Sequence, residues 1–364
     1  MRRRDFFSAT VAGAAGSVAR PGAARGAAAT NPPKFVLGCQ SGPTSEQRLQ
    51  FFKRHSVEHI CGYPEGAREP KRYTPEAILE LRERCEKHGV SLDMVPAPFL
   101  ASSHIDREKR GAIMLGQDPE RDRDIEDIQE SIRACAKGGV PAMKYNMSIL
   151  GVLRTPRTPG RGGSTYSTWR LREAKADPPL TRAGEVDADR FWERITYFLD
   201  RVIPVANEYK IRMACHPHDP GVPPEGYQGV DRVLGTIEGL KKFITIQESP
   251  YHGINFCQGT VSEMLQNPGE EIFDVIRYLG QRNKIFNVHF RNIRGKRDDF
   301  QETYPDEGDV DMVRAAMVYR EVGYPYMLMP DHVPHHPDDP GGMQAFAFAY
   351  GHIRGIIQAL GHMA

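Results

Sequence analysis

Four polar side chains, each placed where a short apolar run ends, constrain this sequence more than any other feature. His216 follows the run IRMAC, Cys257 follows GINF, His289 follows KIFNV and Asp331 follows YMLMP. Successive members are about 30 to 40 residues apart, the length of one strand–loop–helix unit. Because the carboxyl ends of consecutive parallel strands meet at one mouth of a barrel, we expect these side chains to converge there. Two imidazoles, a thiolate and a carboxylate favour a divalent transition metal such as Mn, Fe, Co or Zn over calcium.

The rest of the chain alternates between strand-like and helix-like segments. Eight apolar runs alternate with segments whose apolar residues recur every three or four positions. This alternation predicts a parallel sheet that closes, with eight units, into a (β/α)8 TIM barrel. An open doubly wound sheet is the alternative, but it would not bring strands five to eight to one centre. The predicted strands are 34–40, 57–63, 91–99, 141–149, 211–217, 253–259, 285–292 and 326–332, and the predicted helices are 74–89, 124–139, 187–209, 270–282, 310–323 and 344–361.

The composition is that of an ordinary globular domain. The 364 residues are 40% hydrophobic and 26% charged, and the net charge at pH 7 is +1. The charge balance does not indicate a nucleic-acid surface, and the longest apolar stretches are far too short to span a membrane. We therefore expect a single catalytic domain over residues 31–364 that acts on a small molecule.

The six cysteines do not form the pattern of a disulfide framework. They are scattered singly, and several lie inside apolar runs, where a free cysteine behaves as a small hydrophobic residue. A buried core residue is also the alternative for Cys257. The neighbouring Gly259 and Thr260, which permit a tight turn around an occupied site, favour its interpretation as a ligand.

Residues 1–30 have the features of an export signal. Arg3 and Arg4 precede Phe6 and Phe7, and a weakly hydrophobic stretch rich in Ala and Gly follows. This core resembles the twin-arginine consensus, and small residues near position 28 offer a cleavage site. A basic tail without a targeting role is the alternative. The pattern predicts that the twin-arginine machinery exports the folded chain to the periplasm, with metal acquired beforehand in the cytoplasm.

Residues 151–186 interrupt the alternation. This segment is rich in Arg, Thr, Pro and Gly, and it follows the fourth predicted strand, so it emerges on the same face as the four ligands. A loop of this length inside a compact domain is usually functional or disordered. We interpret it as a lid or substrate-binding arm, and the alternative is a solvated insertion without a chemical role.

His218 and Asp219, which follow His216 closely, are candidates for supporting roles. His218 cannot point the same way as both of its neighbours, and we expect it outside the ligand set. Asp219 could orient an imidazole, which metal sites usually require. The alternative for the whole HPHDP segment is a surface turn.

Arg291 and His332 adjoin two of the predicted ligands. Arg291 shares a strand face with His289, where a guanidinium suits an anionic substrate, although a structural salt bridge is the alternative. His332 follows Asp331 at a strand end, where the backbone leaves regular geometry. One side chain can then ligate the metal while the other reaches the substrate as an acid or base.

Several sequence blocks together resemble the metal-dependent D-mannonate dehydratases, which have a xylose-isomerase-like TIM barrel. The likeness extends from about residue 70 to the C-terminus. It implies Mn²⁺, with Fe²⁺ or Co²⁺ as alternatives, held by the four strand-end ligands. It also implies acid/base roles for His332 and Tyr350 in removing water from a sugar acid to give a 2-keto-3-deoxy acid. The blocks are HPHDP (216–220), FCQGT (256–260), VHFRN (288–292), FQETYPDEGDVDM (300–312) and PDH (330–332).

The sequence departs from that family's pattern around the substrate. ICGYPEG at 60–66 stands where the family usually has a His-His pair, and DMVPAPF at 93–99 lacks the usual glutamate. Met329 stands where an arginine usually precedes Pro-Asp-His, and FQETYP at 300–305 lacks two histidines. The metal ligands are therefore retained while the residues expected around the substrate differ.

Three functional hypotheses follow. The first is a hydro-lyase that dehydrates an aldonic acid such as D-mannonate, as in glucuronate catabolism. Its metal polarises the carboxylate and adjacent hydroxyl, His332 and Tyr350 exchange protons, and Arg291 pairs the carboxylate. The second is a metal-dependent sugar isomerase or epimerase, which needs no leaving group. The third, a periplasmic sugar-binding protein, would not need clustered transition-metal ligands. The apolar helix faces leave both a monomer and a homo-oligomer open.

Overall fold

The structure is a computed structural model, and it describes residues 32–40, 42–64 and 72–363. The predicted export signal at residues 1–30 lies outside these ranges. Within them, no helix is both long and apolar enough to cross a membrane. All six cysteines fall in the described part of the chain, and each is buried and free, as their scattered spacing predicts.

Strands and helices alternate along the described residues. The strands are β1 (Val36–Gln40), β2 (His59–Cys61), β3 (Ser91–Pro96), β4 (Ala142–Asn146), β5 (Thr155–Pro159), β6 (Thr165–Arg170), β7 (Arg212–His216), β8 (His252–Cys257), β9 (Ile285–His289), β10 (Ile293–Lys296), β11 (Asp299–Glu302) and β12 (Met327–Met329). The α-helices are α1 (Glu46–Arg54), α2 (Pro75–Lys87), α3 (Ala112–Leu115), α4 (Glu120–Gly138), α5 (Ala188–Tyr209), α6 (Ile237–Phe243), α7 (Gln258–Ser262), α8 (Pro268–Gly280), α9 (Met312–Glu321) and α10 (Met343–His362).

Eight parallel strands close into a barrel in the order β1-β12-β9-β8-β7-β4-β3-β2. The predicted TIM barrel is therefore confirmed, and each predicted strand overlaps one of these eight. The register sets the predicted ligands at one height. Cys257 pairs with His289, and His289 pairs with Met329, two residues before Asp331.

The interior of the barrel is a packed core, and the site can open only at its mouth. Met327 fills space that a Cβ at Gly38 would occupy, since that atom would lie 2.7 Å from the Met327 Cβ. Because alternate residues of a strand share a face, Lys144 on β4 points inward like Ala142, and His216 on β7 points inward like Ala214. The side chains that form this inner cluster are Cys61, Met94, Ala142, Ala214, Phe286, Met327 and Met329.

Three of the longer helices begin at side-chain caps. Thr74, Asp187 and Asp311 each accept a hydrogen bond from the backbone N–H three residues on, at the starts of α2, α5 and α9. All six predicted helices are present. The shorter helices α1, α3, α6 and α7 were not predicted, because one to three turns provide little periodic signal.

Residues 151–186 were predicted to be a long loop that serves as a lid or substrate-binding arm, but they contain two strands. β5 and β6 form an antiparallel hairpin, and β6 pairs with β11 in a four-stranded sheet of order β10-β11-β6-β5. Trp169, Ile293 and Phe300 form the buried cluster of this sheet. Because β10 follows β9 directly, the second sheet is joined to the barrel beside His289. The many Pro and Gly residues concealed the strand pattern in TYSTWR.

Candidate metal centre

The four strand-end side chains meet at the carboxyl mouth of the barrel. One potential ligand atom from each of His216, Cys257, His289 and Asp331 lies within 4.8 Å of the others. His289 Nδ1 is 3.2 Å and the Cys257 sulfur is 4.0 Å from Asp331 Oδ2. The centroids of the two imidazole rings are 5.1 Å apart. The structure thus brings together all four residues that the sequence analysis singled out as ligands.

The hydrogen bonds around this cluster leave nitrogen atoms available for a cation. His216 Nδ1 lies 2.7 Å from the Pro217 carbonyl oxygen, to which it donates, so Nε2 carries the free lone pair. His289 Nδ1 is buried and, among the described residues, makes no hydrogen bond, although it lies close to Asp331. An orphaned buried nitrogen beside a carboxylate and a sulfur fits a transition metal held between them.

Cys257 is surrounded by groups that favour a thiolate. Burial opposes ionisation, but the charge of Arg291 and the His289 ring outweigh it and lower the pKa of the Cys257 thiol. The sulfur also accepts hydrogen bonds from the Thr260 backbone N–H at 3.4 Å and from its hydroxyl at 3.2 Å. A Cβ at Gly259 would lie 2.4 Å from Arg291 Nη1, so glycine allows the guanidinium to come close. The FCQGT block therefore supports the sulfur directly.

A second buried cluster contains three carboxylates and two guanidinium groups. Arg291 Nη2 is 2.9 Å from Asp219 Oδ2, and its Nη1 is 2.9 Å from Glu263 Oε1. Arg154, from the segment before β5, pairs with Asp219 at 2.5 Å and with Glu302. Removing one member of such a network leaves a buried charge without a partner, which is strongly destabilising.

This network corrects the roles expected for Arg291 and Asp219. Arg291 is buried, its charge is compensated by Asp219, and it does not line the cavity, so it is not placed to bind a substrate carboxylate. Asp219 holds the two arginines and orients no ligand imidazole. His218 lies outside the ligand set as expected, with Nε2 2.7 Å from the Met147 carbonyl oxygen.

His332 is held between two carboxylates at the edge of the cluster. Its Nδ1 lies 2.8 Å from Glu302 Oε2, and its Nε2 lies 3.5 Å from Asp331 Oδ2. Burial disfavours the charged ring, but Asp331 and Glu302 outweigh it and raise the pKa of His332 to about 10. A cation bound at Asp331 would offset part of this effect. Nδ1 therefore donates to Glu302, and Nε2 faces the metal cluster.

Glu302 is a site residue that the sequence analysis missed. Burial raises its pKa, but Arg154 and His332 outweigh burial and lower the pKa of Glu302 to about 2, so the side chain is ionised. Glu302 lies in the FQETYP segment that carries part of the family resemblance. Only the position of β11 beside the mouth shows that this carboxylate orients His332.

Tyr350 lies away from the mouth, which contradicts the acid/base role that the resemblance implied. Its hydroxyl is 2.7 Å from the Cys39 sulfur, and the residue is 1% exposed in the layer between the barrel and α10. Alternation along β1 directs Cys39 toward the helices and Gln40 into the mouth. Tyr350 is thus a core residue of an apolar helix face.

A cavity of about 260 Å³ opens beside the metal cluster. Gln40 Nε2 donates to Asp331 Oδ1 at 2.9 Å, and Lys144 donates to Gln40 Oε1 at 2.5 Å. Neither Gln40, at the end of β1, nor Lys144, in the middle of β4, was predicted as a site residue. The polar side chains set into the largely apolar wall of the cavity suit a small hydroxylated molecule. The cavity is lined by Gln40, Tyr63, Pro96, Ala97, Leu100, Ala101, Ser102, Lys144, Asn146, Val152, His216, Asp219, His289, Asp331 and His332.

Comparison with known proteins gives the same family from sequence and a similar fold from structure. The D-mannonate dehydratase (UxuA) family profile matches residues 170–364. The mannonate dehydratase of Thermotoga petrophila is 30% identical over 294 residues, which cover 71% of this chain and 77% of that protein. The crystal structure of mannonate dehydratase from Streptococcus suis has a TM-score of 0.76 at 22% identity, covering 90% of this chain and 95% of that chain.

A more distant neighbour supports the barrel type. A xylose isomerase domain protein from Planctomyces limnophilus has a TM-score of 0.58 at 14% identity, covering 91% of this chain and 100% of that chain. At such identities both structural likenesses show the fold alone, a xylose-isomerase-like TIM barrel. The sequence matches go further, because the profile spans more than half of the chain and the relative aligns with most of it. This chain therefore belongs to the D-mannonate dehydratase family of metal-dependent hydro-lyases.

Proposed function

We propose that this chain dehydrates D-mannonate, or a close relative, to 2-keto-3-deoxy-D-gluconate. The observation that carries the proposal is the convergence of two imidazoles, a cysteine sulfur and a carboxylate beside a cavity lined by Gln40, Lys144 and His332, in a member of this family. The relative in Thermotoga petrophila is itself named a mannonate dehydratase. Sugar binding alone would not need this donor set.

A panel of sugar acids and neutral sugars tests the reaction. We expect the metal-loaded protein to convert D-mannonate to a product lighter by one water, as read by mass spectrometry, and to leave D-mannose unchanged. The same protein treated with a chelator is the control and should be inactive. Conversion of a sugar at constant mass would contradict dehydration and would indicate the isomerase or epimerase hypothesis.

We further propose that His216, Cys257, His289 and Asp331 hold one divalent ion, Mn²⁺ or alternatively Fe²⁺ or Co²⁺. Two observations support this assignment. The buried His289 Nδ1 makes no hydrogen bond among the described residues, and the pKa of the Cys257 thiol is lowered. When bound, the ion acts as a Lewis acid on the substrate's carboxylate and neighbouring hydroxyl, which makes the C2 proton more acidic.

Replacing the sulfur tests the ligand set. Cys257→Ser should lower metal occupancy strongly at limiting metal, because a hydroxyl is a much weaker ligand than a thiolate. Cys135→Ser is a matched control, since Cys135 is equally buried but lies in α4. Metal analysis should show normal occupancy in the control. Undiminished occupancy in Cys257→Ser would remove Cys257 from the ligand set.

His332 is our proposed acid/base residue. Glu302 accepts from Nδ1 and fixes the ring, so Nε2 is the atom that can exchange a proton with the substrate. Since Tyr350 cannot reach the cavity, His332 carries this role without it. Although burial opposes the charge, Asp331 and Glu302 raise the pKa of His332 and so favour a protonated ring that can donate a proton.

His332→Asn tests that role. We expect turnover of the substrate identified by the panel to fall by roughly 10²–10⁴, the usual contribution of a general acid or base. Metal content should stay at the unsubstituted level, because the four ligands remain. His335→Asn, at an exposed position of the same loop, should keep full turnover. Full activity in His332→Asn would exclude His332 from the mechanism, whereas loss of metal would make it a ligand.

We also propose that residues 1–30 direct twin-arginine export to the periplasm. The support is the Arg3-Arg4-x-Phe6-Phe7 core before a weakly apolar stretch. Replacing Arg3 and Arg4 together by Lys should leave the protein in the cytoplasm on cell fractionation. Arg2→Lys, which keeps the pair, should be exported normally. Unchanged periplasmic recovery of the double variant would contradict this route.

A further inference from the structure

Lys144 is a cationic side chain in the cavity whose charge has no carboxylate partner. It is half-buried on β4, and its ammonium donates to the Gln40 side-chain oxygen. Among the described residues it forms no ion pair, whereas Arg154 and Arg291 are both paired with carboxylates. An enclosed charge without a counter-ion is costly, so a bound anion would be favoured at this position.

The protonation of Lys144 follows from its neighbours. Burial disfavours the charge, but Tyr63, Cys61 and Asp331 outweigh it, and the pKa of Lys144 is raised. Its Nζ lies 5.9 Å from the centre of the Tyr63 ring. Lys144 is therefore an ammonium and not a neutral amine, so it serves as a hydrogen-bond donor and cannot act as a base.

The position of Lys144 relates it to the metal cluster. The Gln40 side chain accepts from Lys144 through its oxygen and donates to Asp331 through its nitrogen. A single amide therefore separates the ammonium from a predicted metal ligand. An anionic group bound next to the cluster would lie within reach of Lys144, whereas Arg291 is paired with Asp219 and does not line the cavity.

We propose that Lys144 binds the carboxylate of the substrate and thereby selects sugar acids over neutral sugars at this site. The inference rests on the proposed function, because it identifies the group that recognises the acid. Lys144, which faces the cavity, thus pairs with the substrate carboxylate in place of Arg291. A charge-assisted hydrogen bond between ammonium and carboxylate is stronger than the bond either group would make to a neutral partner. The neighbouring Gln40 and Tyr63 are neutral and suit hydroxyl groups.

Equilibrium binding tests this inference separately from turnover. Isothermal titration calorimetry would measure the affinity of Mn²⁺-loaded His332→Asn protein for D-mannonate and for D-mannitol, the neutral alditol of the same length. Adding Lys144→Met should weaken D-mannonate binding roughly 10–100-fold, the value of a hydrogen bond to a charged group. Binding of D-mannitol should not change. Lys144→Arg should recover part of the affinity for the acid.

Controls distinguish recognition from support of the fold. Lys284→Met removes another buried lysine, whose ammonium donates to the Ser249 carbonyl oxygen just before β9, and should leave both affinities unchanged. If Lys144→Met does not fold, Lys144→Gln replaces it in the comparison. Metal content must equal that of the parent protein in every variant. Loss of metal on substitution of Lys144 would overturn the inference and make Lys144 a support of the cluster through Gln40.

The remaining outcomes separate the two proposals. Unchanged D-mannonate affinity in Lys144→Met, or no preference of the parent protein for the acid over D-mannitol, would overturn the role of Lys144. If D-mannonate binds through Lys144 but the unsubstituted protein forms no dehydrated product from any sugar acid, the proposed reaction fails while the anion site stands.

Discussion

The two charged clusters of this site both depend on the ion pairs of one buried guanidinium, that of Arg291. It pairs with Asp219 and Glu263, and its Nε lies 3.7 Å from Asp331 Oδ2. Its charge also lowers the pKa of Cys257. A guanidinium is stable in such a position only when carboxylates surround it. Arg291 therefore links the ligand cluster to the network that holds His332, and its place is secured by the absence of a side chain at Gly259.

The barrel and the second sheet supply different parts of the site. The barrel strands supply the four predicted ligands and Gln40 at their carboxyl ends, and β4 supplies Lys144 two residues before its end. Glu302 lies on β11 of the second sheet. Its ion-pair partner Arg154 lies just before β5 of the same sheet. Glu302 accepts a hydrogen bond from His332 and so orients its ring, and the charge of Arg154 helps to keep Glu302 ionised. The segment that interrupts the alternation of strands and helices thus contributes Arg154, which pairs with the Glu302 carboxylate beside His332.

The sequence predicted the barrel and the four clustered residues because both depend on local patterns. Apolar runs that end in a polar residue mark strand ends, and parallel strands place these ends together. The second sheet was missed because β6 pairs with β11, far along the chain. Alternation indicates which face of a strand a residue occupies but not which partner it meets there. For that reason Arg291 was assigned to the substrate, although it pairs with buried carboxylates, and Lys144 was overlooked.

Tyr350 shows the limit of transferring a role by resemblance. Its helix has an apolar face, and the structure places Tyr350 in the core with its hydroxyl against Cys39. The ligand cluster is different because four independent strand ends support it. The central claim is that this cluster binds metal through a cysteine thiolate. X-ray absorption of Zn²⁺-loaded protein tests it most directly. The account predicts one sulfur neighbour at about 2.3 Å together with nitrogen or oxygen neighbours at about 2.0–2.2 Å. A shell of nitrogen and oxygen alone would contradict it.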